Sequence, residues 1–319
     1  MGDQRNISRA QWLRRLAQRR QHKTAFVLSG GGPFGALQVG MLKALLERDI
    51  RPDLCVGTSV GALNSVFLAF DPSTAGVDRL SRIWHSLGDD DLFPGARYKT
   101  SWARMLMRGN RVFENSGIRR MVETRLGRAR FEDAEIPLAV LATDLATGEE
   151  TVFRSGDLMD PLLASVAMPG ILPPVEIAGR LFIDGGVSDA VPITPAVEMG
   201  ARKIYVLNCT AKTQAPRPLL RPMDHLLHAF SLARAKRFEI ERKAYAGKVD
   251  MIVVSPPALD FTVPFTSMRY TAELEKVGYE QMVRTLDGRP DSGAPDLAPS
   301  PTDDAGSQPD VEPPAESSS

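Results

Sequence analysis

The chain has 319 residues, with 39 Lys and Arg against 39 Asp and Glu, so its formal net charge is zero. This balance gives no sign of a nucleic-acid-binding protein, and two cysteines argue against a disulfide framework and for a reducing compartment. The sequence shows neither the apolar core of a signal peptide nor a run of about 18 apolar residues, so we expect a cytoplasmic protein.

Residues 1–23 form a basic arm. Seven Lys or Arg and one acidic residue precede Thr24, and residues 8–21 are predicted to form a helix with Trp12, Leu13 and Leu16 among arginines. That composition suits an anionic membrane surface and predicts a possible peripheral contact there. A solvated basic arm is the alternative.

The first predicted strand, Thr24–Leu28, runs into the consecutive glycines Gly30, Gly31 and Gly32 ahead of a predicted helix over residues 36–48. Glycines at a helix start expose backbone N–H groups to an anion without interference from side chains. This loop therefore predicts an anion or oxyanion site, with a simple packing turn as the alternative.

Two nucleotide-binding interpretations of the same loop are weaker. Gly30, Gly32 and Gly35 fit the dinucleotide fingerprint, but the second strand ends without the acidic residue that this fingerprint requires. A Walker-type phosphate loop requires Gly-Lys-Ser or Gly-Lys-Thr, which is missing here.

The second predicted strand, residues 53–56, leads into Gly57-Thr58-Ser59-Val60-Gly61 and a helix over Val60–Phe70. A G-x-S-x-G pattern between strand and helix is typical of a nucleophile elbow, in which a sharp turn exposes the serine oxygen. The N-terminus of the following helix directs its free amides and positive dipole end towards that oxygen. Ser59 is therefore the candidate nucleophile.

Residues 71–127 interrupt the alternation of strands and helices. This helical insertion carries Trp84, Trp102 and the apolar run 105–107. Exposed apolar residues there would line an acyl-chain groove or contact a bilayer, and an ordinary packed subdomain is the equal alternative.

Later strands are short apolar runs, which are typical of a sheet covered by helices on both faces. We therefore predict a three-layer α/β/α fold with a mainly parallel sheet, in one catalytic domain over residues 24–287. The predicted strands cover residues 138–142, 151–153, 181–183, 203–208 and 250–254, and the predicted helices residues 223–245 and 274–286. The acidic tail, residues 288–319, lacks apolar residues to bury and is predicted to be disordered.

Asp184 ends one of these strands and is followed by Gly185 and Gly186. Open α/β sheets place their chemistry at strand ends, although Asp-Gly is also a common turn pair. In order, the glycine loop, the Ser59 elbow and Asp184-Gly185-Gly186 resemble the patatin-like phospholipases. Residues 142–149 also resemble that family, and the resemblance spans roughly residues 23–287.

The resemblance implies a serine acyl hydrolase in which Ser59 and Asp184 form a dyad without a catalytic histidine, cofactor or metal. The implied oxyanion-hole residues are Gly30, Gly31, Gly32 and Val60. Many family members carry Lys or Arg between the loop glycines, where this chain has Phe34. A Ser–His–Asp site would require a histidine after Asp184, but the two available ones lie inside the predicted helix 223–245.

The expected activity is that of a lipid acyl hydrolase of the phospholipase A or lysophospholipase type, acting on lipid esters through an acyl-enzyme intermediate. The alternatives are a thioesterase or short-chain carboxylesterase on the same dyad, or a non-catalytic lipid-binding scaffold.

Overall fold

The computed structural model describes residues 23–88, 114–209, 222–257, 259, 263 and 267–288. Within these segments, eight strands form one sheet. They are β1 (Lys23–Leu28), β2 (Leu54–Thr58), β3 (Leu138–Asp144), β4 (Glu150–Phe153), β5 (Val175–Ile177), β6 (Arg180–Asp184), β7 (Ala201–Leu207) and β8 (Asp250–Val254).

The strand order is β5-β6-β3-β2-β1-β7-β8, with β4 also paired to β3. Neighbours from β3 through β2, β1 and β7 to β8 are parallel, whereas β4, β5 and β6 pair antiparallel. The prediction of a mainly parallel sheet is therefore confirmed, with an antiparallel portion at the end that contains Asp184.

The described segments contain eight α-helices. They are α1 (Gly35–Glu47), α2 (Val60–Phe70), α3 (Thr74–Ser86), α4 (Ser116–Leu126), α5 (Met159–Ser165), α6 (Ile193–Glu198), α7 (Pro222–Tyr245) and α8 (Thr271–Leu286). None of these helices combines the length and the apolar character that crossing a bilayer requires.

Strand β1 shows how the helices cover both faces of the sheet. Alternate side chains of a strand point to opposite faces. Phe26 and Leu28 belong to a core shared with α1, α2, α3 and α8, whereas Ala25 and Val27 belong to a second core shared with α6 and α7. The predicted three-layer α/β/α architecture is confirmed.

At Trp84 the helical insertion follows the packed alternative. This side chain is only 2% exposed, and its indole N–H donates to Asn64 Oδ1 at 2.9 Å. Trp84 is therefore a core residue and not an exposed contact for a bilayer. Trp102 and residues 105–107 lie outside the described residues, as do the arm before Lys23 and the tail after Gly288.

Candidate active site

Ser59 lies between β2 and α2 with φ 56° and ψ −127°. Few residues other than glycine adopt a positive φ, and such strain is typical of functional sites. The two flanking glycines permit close packing: a Cβ at Gly57 would lie 2.4 Å from the Gly61 carbonyl oxygen, and one at Gly61 would lie 2.2 Å from the Leu28 carbonyl oxygen. The G-x-S-x-G pattern is thus a steric requirement of this turn.

The register of β3 explains why Ser59 and Asp184 meet. Strand β2 pairs parallel with residues 138–141 of β3, and β6 pairs antiparallel with residues 142–144. Strand β4 pairs with residues 140–143 of β3, and each of these residues also pairs with β2 or β6. Because a strand has only two edges, β4 lies along one edge of β3, and β2 and β6 share the other. The carboxyl ends of β2 and β6 therefore face each other along that edge.

The two side chains are in direct contact. Ser59 Oγ donates to Asp184 Oδ2 at 2.6 Å, and the other carboxylate oxygen accepts the Gly186 amide at 2.7 Å. Burial raises the pKa of Asp184 above the usual aspartate value, while the Ser59 hydrogen bond, the charge of Arg234 and the Gly186 amide oppose this rise. A carboxylate with a raised pKa is a stronger base and is better suited to accept a proton from serine.

The described histidines take no part in this contact. His85 bonds to Glu275 at 2.9 Å, and His225 is exposed on α7. The side chain of His228 and all of His22 lie outside the described residues. Within the described part of the chain, no group of three or more His, Cys, Asp or Glu residues is arranged to hold a metal ion.

The glycine loop offers a smaller set of amides than the sequence predicted. The Gly30 amide donates to the Ala190 carbonyl at 3.0 Å, so it is already engaged and is not free to bind an oxyanion. Among the described residues, the amides of Gly31 and Gly32 have no acceptor. Val60 is the first residue of α2, where an N–H has no intrahelical partner.

A buried polar chain holds this loop in place, and sequence reasoning missed it. Gln38 donates to the Ser29 and Leu207 carbonyls at 2.8 and 3.0 Å. Asn64 donates to Gln38 Oε1 at 2.9 Å and accepts from Trp84. The sequence contains a signal for this chain of hydrogen bonds: Gln38 and Asn64 are polar residues on the apolar faces of α1 and α2. Buried polar groups are nearly always hydrogen-bonded.

Replacing Gly31 with alanine is expected to lower kcat by about 10²–10³-fold, the usual effect of losing one oxyanion donor. The added Cβ would lie 2.5 Å from Cys209 Sγ, so the loop has to shift away from its present position. Ester hydrolysis should show the loss mainly in kcat rather than KM.

Cys209→Ala supplies the control for this experiment. Alone it should change kcat little, because its thiol is a weak hydrogen-bond partner. Combined with Gly31→Ala it should restore part of the lost activity, since the clashing sulfur is gone. Strictly additive effects of the two substitutions would contradict the steric explanation.

Ser165, at the end of α5, is a second residue that sequence reasoning did not identify as part of the site. Its Oγ accepts the Ser59 amide at 2.9 Å and is fully buried. This hydrogen bond holds the backbone of Ser59 in its strained conformation, so Ser165 is a candidate positioning residue.

Ser165→Ala is expected to lower kcat by roughly 10-fold, because it leaves the Ser59 amide unsatisfied, with little change in KM. Ser65→Ala is the matched control: Ser65 is equally buried, on α2, and its hydroxyl has no partner among the described residues. That control should keep full activity. Equal losses in both variants would show that Ser165 acts only through packing.

A narrow apolar cavity opens beside Ser59 and Asp184. Its walls come from the glycine loop, α2, α3, α4 and the segments after α5, and they are nearly all aliphatic, aromatic or thioether groups. The lining residues are Gly32, Pro33, Ser59, Val60, Leu63, Trp84, Leu87, Ile118, Val166, Met168, Ile171, Leu172, Asp184 and Met268. Such a lining fits a hydrocarbon chain.

The chain is similar to several known proteins. Residues 26–197 match the family described as patatin-like phospholipase. The chain is 33% identical over 191 residues to a patatin-like phospholipase domain-containing protein of Caenorhabditis elegans, a match that covers 55% of this chain and 13% of that protein. It is 28% identical over 190 residues to lysophospholipase NTE1 of Mycosarcoma maydis, covering 57% of this chain and 9% of that protein.

A bacterial relative is closer to this chain in length. The chain is 30% identical over 206 residues to an NTE family protein of Mycobacterium tuberculosis, which covers 61% of this chain and 51% of that protein. The matched region thus spans at most about half of any of these three relatives.

Proposed function

The chain belongs to the patatin-like phospholipase family, and we propose that it is a lipid acyl hydrolase of the phospholipase A or lysophospholipase type. The observation that carries this proposal is the 2.6 Å hydrogen bond from Ser59 Oγ to Asp184 Oδ2. In the proposed dyad, Ser59 is the nucleophile and Asp184 is the general base.

The proposed reaction has two halves. Asp184 takes the proton from Ser59 as Oγ attacks the ester carbonyl, and the amides of Gly31, Gly32 and Val60 stabilise the resulting oxyanion. The alcohol then leaves with the proton from Asp184, which forms the acyl-enzyme. Water, deprotonated by the same carboxylate, releases the fatty acid and restores Ser59.

The apolar cavity supports a lipid over a short ester. Leu63, Trp84 and Met268 line the space next to Ser59, and burial of each methylene there stabilises the complex by about 0.8 kcal/mol. A short acyl chain would leave most of that apolar surface without a contact. The proposed substrate is therefore an ester with a long acyl chain.

Product analysis tests the proposal. Purified protein is incubated with a long-chain lysophospholipid, a short-chain ester and a long-chain acyl thioester, and fatty acid release is measured by mass spectrometry with Ser59→Ala as the blank. The lysophospholipid should be cleaved fastest. Preference for the thioester or the short ester would favour those alternatives, and no turnover of any of them would favour the lipid-binding scaffold.

The basic arm is proposed to dock the enzyme on anionic lipid. Deleting residues 2–22 should reduce co-sedimentation with anionic vesicles and hydrolysis of lipid in them, while cleavage of a soluble short ester is unchanged. High salt should reproduce the deletion, because it screens the attraction. Equal vesicle binding by both proteins at low salt would exclude the arm as the docking element.

A further inference from the structure

A second cavity, of about 710 Å³, lies beside the proposed dyad and takes no part in the reaction described above. Its walls are residues 148–149 in the turn before β4, Glu150 at the start of β4, residues 186–188 and Ala190 after Asp184, and one side of α7. Unlike the apolar cavity, it is lined by charged groups, among them Arg234, Arg237, Glu149 and Glu150. Its chemistry therefore suits a polar group.

Arg234 is held against the backbone of the site. Its guanidinium lies 5.4 Å from the ring centroid of Phe230. A Cβ at Gly30 would lie 2.9 Å from Arg234 Nη2 and 3.2 Å from Ser59 Cβ, and one at Gly186 would lie 3.3 Å from the same nitrogen. Because both positions are glycine, the guanidinium can lie close to the glycine loop and to the turn after Asp184.

The charge of Arg234 is not neutralised by a direct contact. Arg237, one turn further along α7, pairs with Glu150 at 3.2 Å. Within the described segments, by contrast, Arg234 has no carboxylate at ion-pair distance, and its buried Nε has no acceptor. Arg234 acts on the Asp184 carboxylate through space and not through a direct contact, so its guanidinium has N–H donors available to an anionic ligand in the cavity.

The glycine loop itself lacks a cation, since Phe34 stands between its glycines and packs against the core. We propose that Arg234 binds the phosphate of a phospholipid substrate in the 710 Å³ cavity, while the acyl chain occupies the apolar cavity. This inference rests on the proposed function. It assigns headgroup recognition to Arg234 and predicts a preference for esters in which one glycerol links the cleaved acyl group to a phosphate.

The chemistry of the two groups matches. A guanidinium presents planar, paired N–H donors to phosphate oxygens and stays charged at all relevant pH values. Its place beside Gly30 and Gly186 puts the bound phosphate next to the reacting ester. The Glu149 and Glu150 side of the cavity disfavours a second anion, so the phosphate end of the headgroup is directed to Arg234.

A comparison of two esters tests this subsite. Lysophosphatidylcholine and a monoacylglycerol with the same acyl chain are assayed with the wild type, Arg234→Gln, Arg234→Lys and the control Arg242→Gln. Arg242 is on the same helix but pairs with Glu239. Arg234 also places a positive charge near Asp184, and the loss of that charge should affect both esters equally. The ratio of the kcat/KM value for lysophosphatidylcholine to that for the monoacylglycerol therefore reports recognition of the headgroup alone.

Arg234→Gln should lower that ratio by roughly 10- to 100-fold, the usual effect of losing a charged hydrogen-bond donor. Arg234→Lys should recover part of it, and Arg242→Gln should leave it unchanged. An unchanged ratio in Arg234→Gln, with wild-type thermal stability, would overturn the proposal.

A binding measurement separates this inference from the proposed function. Lysophosphatidylcholine below its micellar concentration is titrated into Ser59→Ala and into Ser59→Ala with Arg234→Gln. Binding that is weakened about 10-fold or more by the second substitution supports the subsite even if no ester is hydrolysed. Equal binding overturns it, and so does a result in which inorganic phosphate binds as tightly as the lipid, since that would indicate a free-phosphate site.

Discussion

Ser59→Ala is expected to lower kcat for a lipid ester on the order of 10⁶-fold. The loss is this large because the proposed acyl-enzyme forms on Ser59 Oγ, which alanine lacks. Alanine retains the Cβ, so it creates no cavity and relieves no backbone strain. Fatty acid release and thermal unfolding, measured on the same preparation, check both expectations.

Ser59→Gly separates the strain from the chemistry. Glycine adopts the observed φ of 56° without the penalty that serine and alanine bear. This variant should be as inactive as Ser59→Ala and more stable to heat. Turnover close to the wild-type rate in either variant would exclude Ser59 as the nucleophile.

Asp184→Asn is expected to lower kcat by roughly 10⁴-fold, the upper range for loss of a general base. Asparagine keeps the size of the side chain and a hydrogen bond to Ser59 but does not accept the proton. In the wild type, kcat/KM should fall on acidification at a pH above the ordinary aspartate range, because burial raises the pKa of Asp184. Wild-type activity of the variant at neutral pH would contradict the dyad.

The same substitution should raise stability at neutral pH. Because the folded-state pKa of Asp184 lies above its unfolded value, the folded protein binds this proton more tightly, and stability falls as the pH rises between the two values. Asparagine does not ionise, so the variant avoids this loss of stability. It should therefore melt at a higher temperature than the wild type at pH 7. The difference should shrink in acid, where the wild-type carboxyl is protonated.

Asp144→Asn provides a control of opposite sign. The Thr147 and Ala146 amides and Arg180 hold the pKa of Asp144 below its usual range. Its ionised form therefore stabilises the fold, and the stabilisation is lost as the pH falls through that lowered pKa. This variant should be less stable than the wild type at neutral pH. A higher melting temperature for Asp144→Asn at pH 7 would contradict the electrostatic explanation of both variants.

Much of the sheet was predictable because its central strands are short apolar runs with glycine-rich ends. Helix α2 has the predicted bounds, Val60–Phe70, and β2 extends two residues beyond its prediction, to Thr58. The antiparallel direction of β6 was not predictable, since it depends on pairing with β3 rather than on local sequence. That pairing is what brings Asp184 to Ser59.

Other features were missed for physical reasons. The contact of Ser165 with the Ser59 amide and the approach of Arg234 to Gly30 join residues more than a hundred positions apart, and periodicity carries no information about them. In α7, Ile240 is 63% exposed whereas Phe238 packs against the second core, although both are apolar residues of the same helix. The bond from the Gly30 amide to Ala190 likewise joins distant segments, so the loop sequence alone does not show that this amide is engaged.

The most direct test of the account is covalent labelling with a fluorophosphonate probe, followed by peptide mass spectrometry. A fluorophosphonate reacts with an activated serine and leaves a stable phosphonyl adduct on its oxygen. The account predicts one adduct, on the peptide that contains Ser59, and much slower labelling of Asp184→Asn. An adduct on another serine, or equally fast labelling of Asp184→Asn, would contradict the Ser59–Asp184 dyad.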